Sequence, residues 1–297
     1  MRRFLRHIGA FLLPIAVVAM GLEIIAESIP NSYTYKRDYM ERHGANVQIV
    51  ILGSSNAYDG INPSVLPKAF NLANSSQTLE DDYRLLARHI DTMDSLQTVV
   101  VGLGYHSLGA TSMDNRRTYY TIYMHLYPRW PISKYSFEVF NLELLTKKII
   151  KYLVSRDVTR CDSLGQRVGH TAAAVSGQKE FWNKDAATLA SNDCFDTHLS
   201  TSIAQNVQYL HAIIALCDAH YVQPIIVTMP VRTEYKNYLS ADQLALHDSI
   251  MRSLPSSVMY IDASDWDMPD IGWYNATHLT RETSTDFTKR LMNIITM

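Results

Sequence analysis

The sequence predicts an α/β fold: a five-stranded parallel sheet in a three-layer α/β/α arrangement. Three observations predict it. Short apolar runs rich in β-branched residues fall at 47–52, 69–72, 98–103, 224–229 and 258–262. Segments of helical period stand between them, and strands that alternate with helices imply parallel pairing with both sheet faces covered. Finally, 297 residues at 47% hydrophobic and 19% charged suffice for one large domain with a substantial core, or two modest ones.

The chain opens on Arg2, Arg3 and Arg6, followed by an apolar stretch from Ile8 to Leu22 that breaks at Glu23 and resumes at Ile24–Ala26. This pattern reads as an export or anchor signal over residues 1–28. It reaches spanning length if Glu23 extends toward the far interface, and no small-x-small cleavage site follows, so an uncleaved anchor is favoured over a cleaved signal peptide. Arginines on the N-terminal flank put that end in the cytoplasm. The expectation is a single-pass protein of the inner (cytoplasmic) membrane with its globular domain in the periplasm or outside the cell. Residues 29–46 are polar and Tyr-rich, a linker without an apolar period, and the globular domain is expected over 47–297.

Within that domain, the strand at 47–52 is followed by one at 69–72 and a helix over Leu79–Met93. After the strand at 98–103 the alternation fails. An insertion is expected over about 107–197, with Tyr119, Tyr120, Tyr123, Tyr127 and Trp130 in its first half. A helix-like Leu142–Val154 carries Lys147, Lys148 and Lys151, and Ser155–Asp196 reads mainly as loop. The alternation then resumes: a helix over Leu199–His220, the strand at 224–229, a helix over Ala241–Ser253, the strand at 258–262 and a helix over Arg281–Ile295.

A formal charge of -2 with no long basic block does not support a nucleic-acid footprint. Cys161, Cys194 and Cys217 lack CxxC spacing, so no zinc site is read from them. Cys161 and Cys194 lie in the least regular region, where the sequence leaves open whether they pair in an oxidising compartment, and Cys217 reads as a small buried hydrophobe. Asp265, Asp267 and Asp270 lack the glycine and terminal Glu of a calcium loop. The sequence implies no metal and no cofactor.

In a parallel α/β sheet, ligands bind beyond the carboxyl ends of the strands. Four segments fall there: Gly53-Ser54-Ser55-Asn56, Asn71-Leu72-Ala73-Asn74-Ser75-Ser76, Gly102-Leu103-Gly104-Tyr105-His106, and Asn275-Ala276-Thr277-His278 before the last helix. A serine on the turn leaving a buried strand, with a late histidine, points to nucleophilic ester chemistry.

These segments, in this order, resemble the SGNH (GDSL-like) hydrolase superfamily, whose sheet is flavodoxin-like, over about residues 47–297 apart from the insertion. The resemblance implies Ser55 as nucleophile and His278 as base, with Asn275 standing where the family has the aspartate that orients the histidine. Ser76 aligns with the family's second-block glycine. His106, with Tyr105 the alternative, aligns with its third-block asparagine. The implied oxyanion donors are therefore the N–H groups of Ser55 and Ser76 and the side chain of His106. Asn56, Asn74, Tyr105, Arg232 and Tyr235 are the expected substrate contacts. Asp196-Thr197-His198 echoes the Asp-x-His of O-acetylation relatives, although Asp196 also suits a helix N-cap.

The resemblance implies an esterase or O-acyl (acetyl) transferase acting on an extracytoplasmic cell-envelope polysaccharide or glycan, with a membrane acyltransferase as a candidate partner. The alternative is a binding subunit of an envelope assembly complex that uses the same cleft without turnover.

Overall fold

The computed structural model describes residues 1–156, 158–169, 179–195 and 200–295. In chain order its elements are α1 (Arg2–Ser28), α2 (Ser32–His43), β1 (Ile49–Gly53), α3 (Ser55–Gly60), β2 (Ala69–Asn71), α4 (Leu79–His89), β3 (Thr98–Leu103) and α5 (Asp114–Ile122). There follow α6 (Leu142–Ser155), α7 (Lys179–Asp193), α8 (Ser200–Ala219), β4 (Gln223–Thr228), α9 (Thr233–Lys236), α10 (Ala241–Arg252), β5 (Met259–Asp262), β6 (Trp273–Asn275), β7 (His278–Leu279) and α11 (Arg281–Ile295). The chain divides into two compact units, Met1–Asp38 with Met113–Thr159, and Tyr39–Ser112 with Arg160–Met297.

The second unit holds the sheet. All four strand pairings are parallel and the strand order is β2-β1-β3-β4-β5. The α/β expectation is met, strand for strand. The central strands β1 and β3 are buried along nearly their whole length, which is why they read as continuous apolar runs rather than as alternation. In this order the chain leaves β1 outward to β2 and then reverses to β3, so β1 and β3 flank the switch point where a ligand crevice opens at their carboxyl ends.

Gly53 and Gly102 face each other there in register. Gly53 has φ +125°, and a Cβ on it would lie 2.3 Å from the Gly102 carbonyl oxygen. Only glycine closes this turn. Its N–H donates to Asp82 Oδ1 at 2.8 Å, on the buried face of α4. Thr78 and Asp81 form a capping box at the start of that helix.

Two segments depart from expectation. Residues 32–43, expected as linker, form α2. Asn31 Oδ1 accepts from the N–H groups of Tyr33 and Thr34, a cap that satisfies the first turn. It carries no aliphatic period: its buried residues are Ser32, Tyr33, Lys36 and Met40, Tyr33 packs on Tyr119 and Tyr120, and the half-buried Tyr39 stacks on Phe70 at 3.9 Å. Residues 179–193, expected as loop, form α7. Trp182, Ala186 and Ala190 recur on its buried face, a stripe whose alanines give little hydropathy signal.

Cys161, Cys194 and Cys217 are all free thiols, Cys194 exposed and the other two buried, so the Cys161–Cys194 pairing that the sequence left open is not formed. The Asp196–His198 motif lies outside the described residues.

In the first unit, α1 is long and apolar enough to cross a membrane. Its last turns are tied to the rest of that unit. Glu23, expected to reach toward the far interface, instead accepts from the N–H groups of Glu138 and Val139, each at 3.0 Å. Lys148 Nζ donates to Ala26 O at 2.7 Å and pairs with Glu138 at 3.0 Å, with the Tyr123 hydroxyl hydrogen-bonded to both side chains.

Candidate active site

Ser55 is the first residue of α3, directly past the Gly53 turn. The antiparallel pair β6–β7 sets Asn275 opposite His278, with Ala276 and Thr277 as the connecting turn. His278 Nε2 lies 2.7 Å from Ser55 Oγ, 223 positions apart in the chain. On the other side of the ring, Nδ1 lies 2.8 Å from Asn275 Oδ1 and 2.9 Å from Thr277 Oγ1.

The orientation of the Asn275 amide decides the chemistry. A backbone N–H can only donate, and that of Thr277 points at the Asn275 side-chain atom 3.0 Å away. That atom must therefore be the carbonyl oxygen, the geometry of an Asx turn. The Thr277 hydroxyl donates to the same oxygen at 3.3 Å. An acceptor facing Nδ1 makes Nδ1 the protonated nitrogen, and Nε2 is left with a lone pair for the Ser55 hydroxyl proton. An asparagine presenting its NH₂ would impose the opposite tautomer. The local turn excludes that.

The 276–277 turn is held from several elements. Asp185 Oδ2, on α7, accepts from Ala276 N–H at 2.7 Å. Ala276 O accepts from Arg232 N–H at 2.9 Å, and Asn56 Nδ2 donates to Thr277 O at 2.7 Å. Burial raises the Asp185 carboxyl above its ordinary range, and the Ala276 hydrogen bond opposes the shift.

Asp59 follows Ser55 by one helical turn on α3 and is buried. Its Oδ1 is 3.1 Å from Arg167 Nε and its Oδ2 3.8 Å from His278 Nε2. The Asp59 carboxyl thus stands between Arg167 and His278 Nε2. Neither Asp59, Asp185 nor Thr277 stood among the expected site residues. The four-residue spacing from Ser55 was the available signal for Asp59. Asp185 had none, since its segment did not read as a helix.

The remaining expected residues divide. Ser76 has φ +55°, the left-handed backbone that favours glycine, at the position where the resemblance aligns one. Asn74 is buried, and its Oδ1 accepts from Ser75 N–H while its own N–H donates to Gly53 O. Its Nδ2 has no hydrogen-bond partner among the described residues. His106 and Asn56 converge on Gly104: a Cβ there would meet His106 Nδ1 at 2.8 Å and Asn56 Oδ1 at 3.1 Å. His106 Nδ1 is also 3.9 Å from Asp193.

Tyr105 and Tyr235, expected as substrate contacts, are instead buried in an apolar cluster with Ala186, Ala190, Val231, Leu239 and Ala276. The Tyr235 hydroxyl donates to Asp193. Arg232, also expected as a contact, is paired with Glu234 and Asp270 and stacks on Trp182. Tyr105 and Tyr235 thus pack with Ala276 of the turn and with Ala186 and Ala190 of α7, while Arg232 reaches the turn through its backbone N–H.

No family model and no curated protein matches the sequence. Among solved structures, the chain is similar to a protein inferred to be an acylhydrolase, from Bacteroides fragilis, at 10% identity and TM-score 0.40, covering 86% of this chain and 93% of that one. It is also similar to a protein inferred to be a platelet activating factor, from Streptococcus pneumoniae, at 8% identity and TM-score 0.41, covering 97% and 99%.

Proposed function

We propose that this chain is a serine-dependent acyl-ester hydrolase or O-acyl transferase. Ser55 attacks the ester carbonyl, His278 Nε2 takes its proton and returns it to the leaving alkoxide, and Asn275 with Thr277 holds the Nδ1–H tautomer. The single observation that carries the proposal is the Thr277 N–H to Asn275 Oδ1 hydrogen bond, because it lets a neutral asparagine orient the ring as an aspartate would. Asp59 supplies charge for the imidazolium that forms. The N–H groups of Ser55 and Ser76, the His106 side chain and the unpartnered Asn74 amide are the donors assigned to the oxyanion.

The substrate assignment rests on resemblance and on the apolar α1: an O-acyl, first of all O-acetyl, group on an extracytoplasmic cell-envelope glycan, with a membrane acyltransferase as acyl source if the reaction is transfer. The test is labelling of the full-length protein in vesicles by a serine-reactive fluorophosphonate. Wild type should label, and Ser55→Ala and His278→Ala should not. Wild type that stays unlabelled beside an active serine esterase would sink the enzymatic reading and leave binding without turnover.

A further inference from the structure

Three tethers fasten the first unit to the final turns of α1. Glu23 accepts from the backbone of 138–139, Ala26 O accepts from Lys148, and Glu27 pairs with Arg129 at 2.9 Å. Phe4 and, from Ile8 to Ile25, the apolar side chains of α1 are largely exposed. At 1.5 Å per residue this stretch is about as long as the hydrocarbon core is thick, roughly 30 Å. The tethered residues 23–27 therefore lie at the level where such a helix leaves the hydrocarbon.

Large exposed apolar side chains flank the tether points on the other side. Trp130, next to Arg129, is 76% exposed, and Phe140, next to Val139, is 54% exposed. On α6, Leu145 and Lys148 face inward, whereas Leu142, Ile150, Leu153 and Val154 are 56–82% exposed and form an outward stripe. By helical period the exposed Glu143 and Lys147, paired with each other, lie on that same outward face, between Leu142 and Ile150 along the helix. A monomer in water gains nothing from an apolar stripe anchored beside a membrane-crossing helix. An aromatic-flanked helix whose outward face mixes large apolar side chains with a lysine has the composition of an interfacial element.

We propose that Trp130, Phe140 and the α6 stripe Leu142, Ile150, Leu153 and Val154 form a second membrane contact, seated in the interfacial zone of the bilayer that α1 spans. The inference rests on the reading of α1 as a span and is independent of the chemistry at Ser55. The occupant is lipid because the surface is continuous, through the tethers, with a helix whose own exposed faces require lipid.

The test uses full-length protein reconstituted in phosphatidylcholine/phosphatidylglycerol vesicles carrying brominated acyl chains. Trp182 and Trp273 are buried, so Trp130 is the most exposed of the four tryptophans. Wild-type fluorescence should be quenched by the brominated lipid, and Trp130→Phe should lose most of that quenching. Leu153→Trp in the Trp130→Phe background should restore it with blue-shifted emission and little quenching by aqueous iodide. Leu153→Trp open to iodide, or shielded from both quenchers as a protein partner would shield it, would overturn the proposal. Failure of the whole chain to float with vesicles would overturn the span itself, a separate outcome.

Discussion

Removing both acceptors from His278 Nδ1 should abolish the function of Ser55 in a way that removing either alone does not. Asn275→Leu deletes the acceptor at 2.8 Å but leaves Thr277 Oγ1 at 2.9 Å. One hydrogen bond contributes about 1–1.5 kcal/mol to the choice of tautomer, so the single variant should label about tenfold more slowly. It also strips the acceptor from the buried Thr277 N–H, costing about 1–3 kcal/mol of stability.

Thr277→Val keeps that N–H and the Asn275 acceptor, and its labelling should fall about threefold to tenfold. With both acceptors gone, the loss should approach the ~10⁴ seen when a serine-protease histidine takes the wrong tautomer. The two residues share one proton, so the effects should not add. The assay is the second-order rate of fluorophosphonate labelling at pH 7.5, with thermal melts alongside. A double variant that labels within threefold of wild type would refute the tautomer argument.

Other consequences follow from buried groups. Burial raises the Asp82 carboxyl from 3.8 to about 7. The folded protein then keeps that proton up to about pH 7 while the unfolded chain has released it, so stability falls as pH rises through this window and is level above it. Asp82→Asn, whose amide oxygen can still accept from Gly53 N–H, should flatten that dependence and raise the melting temperature at pH 8, by at most about 4 kcal/mol of stability; an unchanged pH profile of melting would contradict this. Lys148→Ala leaves Glu138 buried without its cation and should cost about 3–5 kcal/mol, while Lys148→Met with Glu138→Leu should recover most of it; thermal unfolding of the reconstituted protein compares them. Asn74→Ala, which deletes an unpartnered donor and also the acceptor of Ser75 N–H, should slow labelling about tenfold or more and cost about 1 kcal/mol of stability; a normal rate would remove Asn74 from the oxyanion assignment.

How much was legible in advance varied with how local the signal is. Apolar β-branched runs announce buried strands because a parallel strand covered on both faces must be apolar along its length. All five were found within two residues of their observed bounds. The helices with aliphatic periods were also legible: α8, α10 and α11 fall within one residue of the expected bounds, while α4 ends at His89, four residues before the expected Met93. α2 and α7 were not, because tyrosines, a tryptophan and alanines carry their contacts, and hydropathy scarcely registers those residues.

Within the site, the residue types and order of Ser55, Asn275 and His278 were legible in the sequence, and sequence alone could not say what an asparagine at 275 does. Tertiary structure decided that, through a turn in which Thr277 N–H presents the amide oxygen to Nδ1. It also brought in Asp59, Asp185 and Arg167, and it withdrew Tyr105 and Tyr235 into the core. The physical reason is distance. A strand is specified by its own few residues, whereas the partner of a side-chain atom is chosen by the packing of segments up to 223 residues apart.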